Sequence, residues 1–210
     1  MNTCISKPRR GRPPKVAREN PDTKAELIRS GVEQLTEYGF ASSGIDRILK
    51  KVGVPKGSFY HYFSSKEAFG REIIASYDTY FANKLDTYLL DDAFPPLVRL
   101  SNFVDDAKEG MARHNFTRGC LVGNLGQEVD LLPDAFRQQL IDVFLSWQAR
   151  VAHCLKVSQE QGTLSSTADG EKLAEQFWIG WEGAVSRAKL IQSNTPLDDY
   201  LHYFITNLPK

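Results

Sequence analysis

The chain has 210 residues, with 26 Lys and Arg against 26 Asp and Glu, so its formal net charge is zero. A hydrophobic content of 41% is enough for a substantial core and excludes wholesale disorder. No run of about 18 apolar residues is present, and no apolar segment follows the charged N-terminus, so we expect no membrane span and no secretory signal. The three cysteines form no CxxC pair, which favours a reduced, cytoplasmic protein.

Charge is unevenly distributed along the chain. Residues 1–60 contain 12 Lys and Arg against 6 Asp and Glu, a net charge of +6, and the remaining residues carry the compensating −6. This asymmetry predicts a phosphate-binding surface at the N-terminal end and makes the other end a poor binder of nucleic acid.

The N-terminal segment KPRRGRPPK, residues 7–15, places Arg9, Arg10 and Arg12 among prolines and a glycine that oppose helix formation. Its RGRP core resembles an AT-hook, an extended arm that lies in the narrow minor groove of A·T-rich DNA. The alternative is a basic tail that attracts DNA without regard to sequence. We expect the arm to contact DNA, and both modes stay open.

Residues 45–66, IDRILKKVGVPKGSFYHYFSSK, predict two short helices joined by a tight turn. The first has an apolar face at helical spacing, formed by Ile45, Ile48, Leu49 and Val52. Gly53 stands where that pattern stops, and Pro55 is a favourable first residue for a second helix. This order is typical of a helix-turn-helix, whose second helix enters the major groove of DNA.

The second of these helices carries side chains suited to DNA. Phe59 and Phe63, four residues apart, can anchor it to a core. Its other residues are polar, small or hydroxylated and can reach phosphates or approach the backbone closely: Lys56, Gly57, Ser58, Tyr60 and His61. Ordinary core packing is the alternative interpretation of the tyrosines.

The segment VPKGSFYHYFSSKE resembles the recognition-helix signature of the TetR family of one-component bacterial regulators, and residues 23–39 upstream also fit that family. The resemblance implies an operator-binding repressor whose partner is double-stranded DNA. It implies phosphate contacts from Ser43, Tyr60 and Lys66. It also implies base-edge or backbone contacts from Lys56, Gly57, Ser58 and His61.

From Lys66 onward the chain predicts helices separated by short breaks, with no alternating strand pattern. The predicted helices cover 66–90, 97–111, 121–131, 133–161, 170–193 and 197–208. We therefore expect an all-α fold of about nine helices, which is similar to the TetR-family plan. The expected organisation is a flexible basic arm at 1–20, a helix-turn-helix DNA-binding domain at 21–67, and an effector-binding and dimerisation domain at 68–210.

The helix predicted at 170–193 has a face without bulk. Gly180, Ala184 and Ala188 lie four residues apart, so another helix can approach closely. Because a helix-turn-helix protein reads two half-sites as a dimer, we expect a homodimer. In the family the last two helices form the dimer interface, and the resemblance implies that role for this face. Packing within one chain is the alternative.

The segment GMARHNFTRGCLVGNLGQE, residues 110–128, places Cys120 at a break between two predicted helices, near His114 and Arg118. Nearby cations or a helix N-terminus would lower the pKa of the thiol and make it a nucleophile. The alternative is a buried cysteine that acts as a small hydrophobe, which is our interpretation of Cys154. Cys4 lies in the arm, and we expect no role for it.

This segment, together with FWIGWEGAVSRAKL, resembles the acrylate-responsive branch of the family, the AcuR-type repressors. The GCL element around Cys120 is also similar to that of NemR-type regulators, which sense electrophiles and oxidants through a cysteine. The resemblance implies a repressor that leaves its operator when a small unsaturated acid or an electrophile arrives.

A small carboxylate effector needs a cation or several N–H donors once it is buried. His114, Arg118 and Arg187 are the candidate cations, and Asn124 is a neutral donor. Tyr77, Trp178 and Trp181 are candidate walls of the site, although each could instead belong to the core. Glu182 would repel a carboxylate unless it is paired, for instance with Arg187 or His114.

Two other classes of protein compete with a regulator. An enzyme could use His114 and Cys120 as base and nucleophile, but no third residue is placed to orient the histidine. The sequence has no phosphate loop and no zinc-spaced cluster, and we expect no cofactor and no metal. An architectural DNA-binding protein would use the basic end alone. Release from DNA on addition of a small molecule separates it from a regulator.

Overall fold

A computed structural model describes residues 22–210, which form nine α-helices and one short 3-10 helix. The helices are α1 (Thr23–Tyr38), α2 (Ile45–Val52), α3 (Lys56–Phe59), α4 (Lys66–Leu89), α5 (Pro96–Arg113), α6 (Leu121–Gln127), α7 (Asp134–Glu160), α8 (Gly170–Ile191) and α9 (Thr195–Thr206), with the 3-10 turn at Val129–Leu131. The predicted all-α fold is confirmed. Arg9, Arg10, Arg12 and Cys4 lie outside the described residues. Within that range no helix is long and apolar enough to cross a membrane.

The predicted helix-turn-helix is formed by α2 and α3. Gly53 ends α2 in the left-handed region, with φ of 69°, which a residue without Cβ adopts at little cost. Helix α3 is shorter than expected, because the chain leaves the α-helix after Phe59 and continues through bonds such as Tyr62 N–H to the Phe59 carbonyl at 2.9 Å. Phe59 and Phe63 are both buried and contact Phe69 of α4, with ring centroids 5.3 and 4.6 Å away, so the predicted anchor is confirmed.

Helix α4 is shared by the DNA-binding part and the C-terminal part. It runs without interruption through the domain boundary expected between residues 67 and 68. It packs against α1 on one side and against α5 and α7 on the other. The contact with α7 is close at Gly70, where an added Cβ would lie 2.5 Å from Phe136 Cζ and 2.7 Å from Phe40 Cε2. A displacement of α4 in the C-terminal part would therefore reach the DNA-binding part directly.

The C-terminal core is a cluster of aromatic rings from α4, α5, α7 and α8. Trp147 lies at its centre, with ring centroids 4.3 Å from Phe81 and 5.1 Å from Trp178. Trp178 is buried among these rings, and it lines neither of the two cavities described below. Its expected role as an effector wall is therefore not supported; the residue packs the core.

The small-residue face of α8 is filled by the same chain. An added Cβ at Gly180 would lie 2.6 Å from Tyr200 Cζ, and the Tyr200 hydroxyl donates to the Phe177 carbonyl at 2.7 Å, so α9 covers this position. Ala184 and Ala188 are also buried within the single chain. The close approach at Gly180 is made by α9 of the same chain, which favours packing within one chain for this position; the predicted dimer interface stays a prediction.

Candidate functional site

The expected DNA-contacting residues of α3 and the following turn share one exposed surface. Lys56, Gly57, Tyr60 and His61 are exposed and Ser58 is half-buried. The Tyr60 side chain is 57% exposed although the neighbouring Phe59 is fully buried. This separation of apolar anchors from polar contacts is what a helix-turn-helix needs on the face that meets DNA.

Two basic residues of α2 extend this surface, and the sequence interpretation missed them. Arg47 and Lys50 are exposed, and the Arg47 guanidinium stacks on Tyr38 at 4.4 Å from the ring centroid. Asp46 forms an exposed ion pair with Lys56 at 3.0 Å, which partly offsets the positive charge. The sequence indicated both residues, because they lie on the polar face of α2, opposite the predicted apolar stripe.

Ser43 and Lys66, both expected to contact phosphates, have internal partners instead. Ser43 is 2% exposed, and its hydroxyl donates to the Gly39 carbonyl. Lys66 Nζ donates to the Phe40 carbonyl at 3.0 Å and lies 4.2 Å from the centre of the Phe40 ring. Burial lowers the pKa of Lys66. Ser43 therefore holds the turn that follows α1, and Lys66 ties that turn to the start of α4. Their contacts with DNA phosphates stay predictions.

The first cavity, of about 320 Å³, lies between α1, α4, α5, α8 and the segment before α6. Of the predicted effector residues, Tyr77, His114, Arg118, Cys120 and Trp181 line it. Its charged lining also contains groups that the sequence interpretation missed: Glu33, Lys84, Asp106 and Arg113. Lys84 and Asp106 form an ion pair with each other. The cavity thus combines an apolar, aromatic wall with charged side chains of both signs.

The second cavity, of about 450 Å³, lies on the other side of Cys120, between α6 and α8. Asn124, Glu182 and Arg187 line it, together with the glycines at 119, 123 and 183. Three residues line both cavities: Gly119, Cys120 and Val185. The residues predicted to form one effector site are therefore divided between two cavities that share a thiol.

Cys120 caps the N-terminus of α6, where its Sγ accepts a hydrogen bond from Gly123 N–H at 3.4 Å. The side chain is 6% exposed. Burial and the negative charge of Glu182 raise the pKa of the thiol well above its usual value, although the Gly123 N–H opposes this. Of the two interpretations of Cys120, the structure favours the buried cysteine, because Arg118 is directed to Glu37 and not to the thiol.

Two acidic groups from two helices lie next to the thiol. The Glu182 carboxylate of α8 accepts a hydrogen bond from the Cys120 thiol. Tyr77 of α4 interacts with Cys120 and with the Leu121 backbone. Burial raises the pKa of Glu182 to about 7 and the pKa of Tyr77 well above its usual value. The expected pairing of Glu182 with Arg187 or His114 is absent among the ion pairs of residues 22–210. Glu182 Oε1 is buried without a hydrogen-bond partner there.

Four side chains from the C-terminal part hold the end of α1, and we name them the α1 clamp: Arg118, Asn124, Glu128 and Lys189. Arg118 Nε donates to Glu37 at 2.9 Å, and Asn124 Nδ2 donates to the Thr36 carbonyl at 2.8 Å. Lys189 Nζ donates to the carbonyls of Glu37 and Thr36 at 3.1 and 3.3 Å. The Glu128 carboxylate accepts the backbone N–H groups of residues 40 and 41 at 2.8 and 3.0 Å. Arg118 and Asn124, expected to bind a carboxylate, are thus already engaged.

The fold and these sites define a helix-turn-helix DNA-binding regulator whose helical C-terminal part lines two cavities. Family models agree: residues 27–73 match bacterial regulatory proteins of the tetR family, and residues 96–204 match the tetracyclin repressor-like C-terminal domain. The chain belongs to the TetR family of bacterial transcriptional regulators.

Individual relatives lie within the same family. The chain is 54% identical over 201 residues to the transcriptional regulator AcuR of Cereibacter sphaeroides, covering 94% of this chain and 90% of that protein. A crystal structure of regulatory protein TetR from Rhodobacter sphaeroides, 53% identical, matches with a TM-score of 0.87 over 89% of this chain and 98% of that one. The reduced form of Escherichia coli NemR, 26% identical, matches with a TM-score of 0.80 over 90% of this chain and 98% of that one.

Proposed function

We propose that this protein is a cytoplasmic, homodimeric repressor that leaves its operator when acrylate or a related small unsaturated acid enters the first cavity. The proposal includes the division into a DNA-binding domain at 21–67 and an effector-binding and dimerisation domain at 68–210. One observation carries it: Cys120 lines the same cavity as the cationic candidates Arg113 and His114, while Arg118 in that cavity is already paired with Glu37. A small molecule with a carboxylate and a reactive double bond has matching groups, and the similarity to AcuR supports this class of effector.

The walls of the cavity supply a route from effector to DNA. Val32 and Thr36 of α1 and Tyr77 of α4 all line it, and these two helices carry the helix-turn-helix. An occupant that favours one arrangement of these walls shifts the population between operator-competent and incompetent spacings of the two recognition surfaces. The α1 clamp is the second connection, because Arg118 contributes to both the cavity and the clamp.

The dimer would use a surface other than Gly180, Ala184 and Ala188. Ile179, Gly183 and Leu190 form an exposed stripe on α8, with Ile179 67% exposed and Leu190 74% exposed. Tyr203 adds an exposed ring from α9. Large apolar side chains on adjoining helices, exposed in the single chain, are typical of a surface that a second copy covers.

Operator release tests the proposal. The DNA upstream of the protein's own gene is titrated with wild type, and acrylate is added, with saturated propionate as the control that cannot undergo conjugate addition. We expect acrylate to release the protein from DNA. The response of Cys120→Ser, and operator binding after dialysis, then distinguish reversible binding of acrylate from covalent reaction with Cys120. If Cys120→Ser still responds and dialysis restores binding, the effector is a reversible ligand and Cys120 lines its pocket.

A second candidate function is a thiol-based sensor of electrophiles or oxidants, and the position of Cys120 between two cavities favours it. In that case acrylate releases wild type but not Cys120→Ser, and dialysis does not restore operator binding. If no acid or electrophile releases the DNA, both proposals are wrong and the architectural role becomes the better explanation.

A further inference from the structure

The environment of Cys120 presents a chemical difficulty for a reactive thiol. Its pKa is raised well above the usual value, so almost no thiolate exists near neutral pH. No Lys, Arg or His is among the causes that shift it. The nearest cation along the chain, Arg118, donates to Glu37. A thiol in this position reacts with an electrophile only if a neighbouring group removes its proton as the new bond forms.

Glu182 is placed to do this. Its carboxylate lies against Gly123, where an added Cβ would be 2.9 Å from Glu182 Cδ, and the thiol of Cys120 is its hydrogen-bond donor. Its second oxygen, Oε1, is buried and has no partner among the described residues, although the side chain lines the second cavity. The carboxylate of Glu182 therefore has an unpaired oxygen and a thiol as its neighbour.

We propose that Glu182 is the general base that takes the Cys120 proton when an unsaturated electrophile reacts with the thiol from the first cavity. This inference rests on the proposed function, because it assumes that an unsaturated acid or related electrophile enters the first cavity. The sulfur bonds to the β-carbon of the unsaturated acid, and the electron pair of the double bond moves onto the α-carbon and its carbonyl group. The thiol proton passes to Glu182, which then returns it to the α-carbon. The net reaction adds S–H across the double bond and consumes no other reactant.

The groups around Glu182 fit a base that is ionised in the physiological range. Burial raises its pKa to about 7, and donation from the Cys120 thiol opposes that rise. From α4 the facing titratable group is Tyr77, which stays protonated because its own pKa is raised. On α8, Arg187 is exposed and Lys189 donates to the α1 carbonyls, and on the first-cavity side Arg118 is paired with Glu37. A general base is most effective when its pKa lies near the working pH.

Alkylation of Cys120 as a function of pH tests the inference without relying on DNA. The full-length protein is treated with acrylamide, an uncharged acceptor, and with acrylate, and adducts are located by peptide mass spectrometry. In wild type we expect the rate to rise and level off as the pH passes about 7, following ionisation of Glu182. In Glu182→Gln the rate near neutral pH should fall by about 100-fold and continue to rise into the alkaline range.

Two controls accompany the comparison. Glu171→Gln makes the same change on an exposed residue of the same helix and should react like wild type. Cys154 is an internal control, because it is buried, its thiol donates to the Pro96 carbonyl at 3.3 Å, and its pKa is raised to about 11. It should stay unmodified.

A Glu182→Gln variant that binds operator and alkylates at the wild-type rate would overturn the inference. A wild-type profile with no rise near neutral pH would overturn it independently, whether or not the variant folds. If Cys120 is alkylated in a Glu182-dependent way but acrylate leaves the operator complex intact, the inference stands and the proposed effector is wrong.

Discussion

Asn124 of α6 donates a hydrogen bond of 2.8 Å from Nδ2 to the carbonyl oxygen of Thr36, in the last turn of α1. The bond joins the helix that Cys120 caps to the helix on which the DNA-binding part is built. Thr36 also lines the first cavity. Thr36 therefore connects three parts of the molecule: the helix that Cys120 caps, the first cavity and the DNA-binding part.

Removing this bond should reduce communication between effector and operator. We expect Asn124→Ala to bind operator, since its side chain contacts α1 and not the exposed face of α2 and α3. It should lower the effector-induced change in affinity by about 2- to 30-fold, the range of about 0.5–2 kcal/mol for coupling residues. Operator titration with and without acrylate measures the ratio. Gln138→Ala, an exposed amide that donates to Asp142 within α7, is the matched control. Equal coupling in both variants would exclude a role for the Thr36 contact.

Tyr60 should be essential for operator binding. Its ring is more than half exposed beside the buried Phe59, so Tyr60→Ala removes a surface group without opening the core. We expect Tyr60→Ala to abolish operator binding while the dimer persists in sedimentation, and Tyr60→Phe to weaken binding because the phosphate-contacting hydroxyl is lost. A monomeric variant, or one with unchanged affinity, contradicts the assignment.

The N-terminal arm, which lies outside the described residues, is tested by deletion. A chain lacking residues 1–15 loses Arg9, Arg10 and Arg12 and should bind operator more weakly. The slope of log affinity against log salt should flatten by about 0.9 for each phosphate contact removed. An unchanged slope would show that the arm makes no contact, and an A·T-dependent loss would favour minor-groove insertion.

The two faces of α8 should respond differently to substitution. Gly180→Ala places a methyl group against Tyr200, whose hydroxyl is held by the Phe177 carbonyl, and should destabilise each chain by about 1–3 kcal/mol while leaving dimer affinity intact. Leu190→Glu buries a charge only if a second copy covers the stripe, so it should yield monomers of normal stability. Denaturant unfolding and sedimentation measure the two effects, and a dimeric Leu190→Glu variant would rule out the stripe.

Glu182 should make the stability of the protein depend on pH. Its pKa is raised from 4.5 to about 7 in the folded protein, so the folded protein retains a proton that the unfolded chain releases. The free energy of unfolding therefore falls as the pH rises through this window, by about 3 kcal/mol at most. Glu182→Gln cannot ionise, and its stability relative to wild type should increase between about pH 5 and about pH 8. Parallel stability curves for the two proteins would contradict the raised pKa.

The fold could be predicted from the sequence because the helical spacing of apolar residues stops where glycine and proline mark the ends of helices. Gly53 and Pro55 mark the turn between α2 and α3, and the predicted long helices begin and end within a few residues of α4, α7 and α8. The apolar anchors Phe59 and Phe63 were likewise readable, because a four-residue spacing of aromatic rings on a short helix has few other uses.

The candidate site was less predictable, because partners distant in sequence determine what a polar group does. Arg118 was expected to meet a carboxylate beside Cys120, and it meets one, but on α1. The thiol pKa follows the burial and charge supplied by Glu182, which lies far along the chain. Gly180 has the spacing of an interface residue, yet only the folded chain shows that Tyr200 covers it.

The first cavity is walled partly by α1 and α4, the helices that carry the DNA-binding surface. Coupling between two binding sites is reciprocal. If an effector in this cavity lowers the affinity for DNA by some factor, DNA lowers the affinity for the effector by the same factor. The operator thus acts as an antagonist of the effector. Protein bound to its operator therefore needs a higher effector concentration for half-saturation than free protein does. A low concentration of effector occupies the free protein first, and the operator-bound protein stays on the DNA.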